Sequence, residues 1–64
     1  MCESKAVLLE GSARKIIMSD VAQVTIDDTH IRCRNIIGEE VEVKHARISK
    51  IDFIKHEMFI KPEE

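Results

Sequence analysis

Five side chains in the 64-residue sequence are soft or borderline metal donors: Cys2, His30, Cys33, His45 and His56. Thiolates and imidazoles are the donor types of zinc, nickel and copper sites. Their spacing does not describe a closed zinc site, because the sequence has no C-x-x-C pair and no His-x-x-x-His. Cys33 alternates with Ile31 and reads as a core position, while His30 lies on the opposite side of the same segment. His45 falls at a break in alternation and His56 in a turn, so each reads as solvated or locally hydrogen-bonded.

The carboxylates Asp27, Asp28, Glu39 and Glu40 sit in turns, and no pair has the spacing that a general acid and base would need. No Ser-His-Asp arrangement can be built, and the two glycines, Gly11 and Gly38, are isolated in turns rather than joined in a phosphate loop. The chain is therefore not read as an enzyme.

Cys2 is different, because it directly follows Met1. Aminopeptidases generally remove a start methionine when the second side chain is small, and cysteine qualifies. The new terminus would carry an amine and a thiolate on one residue, with the amide nitrogen of Glu3 next along the chain. Amine and thiolate close a five-membered chelate ring on a metal. A square-planar set of nitrogen and sulfur donors suits Ni(II), whereas zinc prefers a tetrahedron. One terminus supplies too few donors, but two copies meeting at a symmetry axis would complete an N2S2 set. The competing reading is a terminal cysteine with no chemical role.

The elements that would position these residues are short strands. Residues 4–9 read as a strand, Glu10, Gly11 and Ser12 as a turn, and residues 14–18 as a second strand. Ser19 and Asp20 either cap a single helical turn or turn the chain directly. Residues 23–26 resume as a strand, and Asp27-Asp28 marks a tight turn. Residues 30–35 alternate cleanly, and residues 40–43 alternate with Val41 and Val43 inward. The pattern then changes parity at Ala46 and Ile48, which a β-bulge near Lys44 to Ala46 would repair. Ile51, Phe53 and residues 58–60 suggest a last hairpin around Lys55, His56 and Glu57, ended by Pro62, with residues 61–64 frayed. The expectation is one all-β domain over residues 1–64, a small, strongly bent antiparallel sheet or small β-barrel of five to six short strands. Cys33, Ile31, Val41, Val43, Ile51 and Phe53 are the expected core residues.

Composition fits a folded but small domain. Hydrophobic residues are 44% and charged residues 34% of the chain, a globular rather than disordered balance. A domain this short buries only about 60% of the surface its unfolded chain exposes, so it gains from a second copy. The formal net charge of -2 gives no basic excess for nonspecific nucleic-acid binding. No signal peptide is evident and no apolar run approaches the roughly 20 residues of a membrane span, so a reducing cytoplasm is expected. Lys44, His45, Arg47 and Lys50, with Arg32 and Arg34, form a candidate basic surface for an RNA-binding small barrel, although stacking aromatics are scarce.

Four stretches carry a resemblance to a known family: MCESKAVLL followed by Gly11, IIMSDVAQVTID, IRCRNIIGEEVEV and ISKIDFIKHEMFI. Together they cover nearly the whole chain, and the opening Met-Cys-Glu is the most specific. The sequence resembles the CooT-like small nickel-binding proteins, related to the accessory protein of carbon monoxide dehydrogenase maturation. The resemblance implies a cytosolic homodimer with a small barrel-like fold that binds nickel through the cysteine after the start methionine. Of the residues here, Cys2 matches as the side-chain ligand, with the backbone of Glu3 beside it. The resemblance also implies a metallochaperone role alongside nickel-enzyme maturation factors. Some members are labelled predicted RNA-binding proteins, a label that follows the fold rather than a site. The alternatives to a nickel-binding accessory protein are an RNA-binding module and a metal-free structural or regulatory homodimer.

Overall fold

The structure is a computed structural model that describes residues 4–63. β-branched residues and short turns give seven strands: β1 (Lys5–Glu10), β2 (Ala13–Met18), β3 (Val21–Ile26), β4 (His30–Asn35), β5 (Glu40–Lys44), β6 (Ala46–Asp52) and β7 (Glu57–Pro62). They form two sheets, a four-stranded one ordered β2-β1-β7-β6 and a three-stranded one ordered β3-β4-β5. Neighbours pair antiparallel except β1 and β7, which run parallel. Of the two expected forms it is the bent-sheet one: the described strands divide between two sheets and do not close into a barrel.

The chain passes between the sheets twice, each time through a residue in the left-handed region. Asp20 (φ 56°) carries β2 into β3, and His45 (φ 53°) carries β5 into β6. Asp and His are among the non-glycine residues that tolerate this conformation best. Both corners are tied down. The Val21 N–H donates to the Ser4 carbonyl at 2.9 Å, and the Glu63 N–H donates to the His45 carbonyl at 2.7 Å.

The expected bulge over Lys44 to Ala46 is therefore corrected to a sheet switch. Val43 and Ala46 both face the core, but from different sheets, and the left-handed kink at His45 accounts for the change of parity. True register shifts occur elsewhere. Ile17, Ala22 and Ser49 are the extra residues in β2, β3 and β6.

The two inner faces meet in one aliphatic core containing Ala6, Met18, Ile31, Cys33, Met58 and Ile60. Val41 and Val43 pack against it as expected, half-buried. Ile51 and Phe53 do not belong to it. Ile51 lies at the margin, and Phe53 falls in the β6–β7 turn, where it is 80% exposed. Lys61 and Pro62 pair with Arg47 and Ala46. With the Glu63 bond to His45, this ties residues 61–63 to the start of β6.

Candidate metal centre

Because β1 lies between β2 and β7, its leading end is held from both sides. The Ser4 carbonyl accepts from Val21, and the Lys5 N–H donates to the His56 carbonyl at 2.8 Å. Cys2 and Glu3, the candidate metal ligands, lie outside the described residues. Two peptide bonds separate Cys2 from this fixed point. Beside it, Ser4, Ile51, Phe53, His56 and Met58 line a small apolar depression of about 70 Å³. The turn that forms its rim leaves Phe53 and Ile54 80% and 91% exposed.

The other donors are scattered. Cys33 is fully buried, opposite Val24 on one neighbour strand and Val41 on the other. Burial pushes its pKa up, so it remains a thiol and a poor ligand. His30 is committed locally: Nδ1 lies 2.9 Å from Thr29 Oγ1, while Nε2 lies 3.3 Å from Glu42 Oε2 and 3.5 Å from Asp27 Oδ2. His45 and His56 (φ 56°) serve as left-handed turn residues. Among the described residues, no three His, Cys, Asp or Glu side chains converge to hold a metal ion.

The candidate basic surface is divided. Arg32 and Arg34 stand opposite Glu42 and Glu40 on β5, and the Arg32 guanidinium lies 3.5 Å from Glu42. Lys44 is on that same three-stranded sheet, whereas Arg47 and Lys50 are on the four-stranded one.

Sequence reasoning missed a different grouping. Phe59 of β7 carries the Arg14 guanidinium 5.2 Å and the Lys50 ammonium 5.7 Å from its ring centroid. The long-range β1–β7 pairing and the Ser49 bulge bring these three together, and no local pattern announces either.

Fold and site define a class: a small two-sheet β protein that anchors Ser4 and Lys5 at the end of an interior strand, beside an exposed apolar turn. The family model described as CO dehydrogenase accessory protein CooT matches residues 1–61, and the chain belongs to that family, one of accessory proteins rather than enzymes. Membership supports a metal-handling role. The fold is similar to that in the crystal structure of a protein assigned as CooT from Carboxydothermus hydrogenoformans, with a TM-score of 0.83 and 21% identity over 98% of this chain and 100% of that one. No curated protein shows a match to the chain. Among the described residues, no helix is long and apolar enough to cross a membrane.

Proposed function

We propose that the chain is a nickel-binding accessory protein, a metallochaperone of the cytoplasm that carries Ni(II) as cargo. The Cys2 thiolate, the amine freed by removal of Met1 and the Glu3 amide nitrogen are the donors, and two copies share one ion at a homodimer axis. The observation that carries this reading is the double anchoring of Ser4 and Lys5 immediately behind Cys2, beside exposed Phe53 and Ile54. The anchor gives each copy a defined point from which to present its thiolate. The apolar turn gives the second copy a surface to cover, at roughly 25 cal/mol per Å² of apolar area buried. That gain matters in a domain with so small a core.

Nickel titration of tag-free, correctly processed protein, beside a Cys2→Ser variant, tests the proposal. The expected result is thiolate-to-nickel charge-transfer absorbance saturating at one ion per two chains, lost in the variant because a neutral hydroxyl replaces a soft donor. Unchanged affinity and stoichiometry in Cys2→Ser would overturn it. A dimer that ignores nickel would leave the metal-free regulatory reading in its place.

A further inference from the structure

We propose that the outer face of the four-stranded sheet docks an acidic segment of a partner polypeptide, anchored by an apolar side chain beside Phe59. The register places Lys5, Arg14, Arg47, Lys50 and Lys61 on this face, with Glu57 and Asp52 as its carboxylates. Five cations against these two carboxylates, with Glu63 beside Arg47 and Lys61 at its edge, leave it positive in a chain whose net charge is -2.

The carboxylates offset only part of this charge, that of Arg14 and Lys50. Glu57 is engaged by Arg14 at 3.4 Å. Asp52 accepts from the Lys55 and Ile54 amides at 3.0 and 3.1 Å. Among the described residues, Lys5, Arg47 and Lys61 have no ion pair. The outer face of the other sheet is built differently, with Arg32 and Arg34 each opposite a glutamate.

The positive face also has an apolar centre. Val7 is buried there without a second layer over the sheet, beside half-buried Phe59 and exposed Ile16. Leu9 and Phe59 floor an open pocket of about 360 Å³ whose rim carries three cations, Arg14, Lys50 and Lys55, and two carboxylates, Asp52 and Glu57. That is the low end of ligand-pocket volumes and suits one side chain with polar neighbours. An apolar residue flanked by glutamates or aspartates would set its side chain over Leu9 and Phe59, with its carboxylates reaching Arg14 and Lys50. A nucleic-acid strand fits less well. It wants successive stacking platforms, and this face offers one aromatic ring that already carries two cations.

Fluorescence anisotropy of the tag-free, full-length protein tests this, with a labelled peptide of glutamates around a central leucine as probe. Binding is expected to weaken as salt is raised and to fall at least about tenfold in the Arg14→Glu, Lys50→Glu double variant. Arg32→Glu, on the other sheet, is expected to bind like the parent. Circular dichroism confirms that each variant folds, and nickel titration of the double variant keeps this result separate from the metal proposal. No binding by the parent at millimolar peptide would overturn the inference. So would an equal loss in Arg32→Glu, or tighter binding of a single-stranded oligonucleotide that is lost in the same double variant.

Discussion

The amide of Lys5 reaches the carbonyl of His56, so the start of β1 hangs on a residue that is itself in the left-handed region. The backbone conformation of His56 therefore sets the direction of an anchoring bond. Replacing His56 with valine places a β-branched residue where φ is positive. The variant is expected to lose about 1–2 kcal/mol of stability, and His56→Gly to stay within about 1 kcal/mol of the parent. Urea denaturation measures both.

Cys33 and Cys2 separate cleanly by their environments. Cys33→Ser puts a hydroxyl into an apolar site, and the expected cost is about 1–3 kcal/mol of stability. Nickel stoichiometry should not move, since a buried thiol held protonated is not a donor. Denaturation and titration on the same preparation check the two halves of this prediction.

Asp52 supplies a pH signature. Hydrogen bonds from Lys55 and Ile54 and the charges of Lys50 and Lys55 hold its pKa below the usual carboxylate range, against a smaller desolvation effect. A lowered folded-state pKa means that the stabilisation is present above the unfolded value, and is lost as pH falls through the folded one. Asp52→Asn keeps an oxygen acceptor but has no charge to titrate. Its stability deficit relative to the parent is expected at neutral pH and should vanish in acid. Thermal unfolding across that range reads the convergence.

Removal of the apolar turn should act on assembly. Phe53→Asp with Ile54→Asp places charges on side chains that are almost wholly exposed in one chain, so folding is expected to survive. The dissociation constant of the proposed dimer should rise at least about tenfold, because buried aromatic contacts dominate such interfaces. Sedimentation at micromolar concentration, with and without nickel, makes the comparison.

A residue added before Cys2, or retention of Met1, would remove the free amine from the proposed chelate and should weaken nickel binding. Acid pH should weaken it as well, since protons compete for sulfur and nitrogen. If the tagged and processed proteins bind alike, the donors are the thiolate and amide nitrogen without the amine.

Local alternation made parts of this fold legible. β4 has the bounds that its pattern of Ile31 and Cys33 against His30, Arg32 and Arg34 implies. The parity change after Val43 was visible too. A bulge and a one-residue passage between sheets leave the same trace in sequence, however, and only tertiary pairing tells them apart. Ile51 does share the side of core residue Met58, because the extra residue at Ser49 resets the parity, but it lies at the sheet margin, and Phe53 falls in the turn beyond the end of β6. The parallel β1–β7 pair had no local signal, and with it the clustering of Arg14, Lys50 and Phe59 was hidden. The proposed metal residue was legible by type and place in the chain, which is how a donor defined by its own amine and thiol announces itself.

That parallel pair also imposes an order in time. β1 is joined to β2 by a short turn but lies far in sequence from β7, so the hairpin can zip before the parallel pair forms. Closing a contact between the two ends of a chain is slow relative to forming a hairpin. The bond from Lys5 to His56 is therefore a late event in folding, set after the local hairpins are in place.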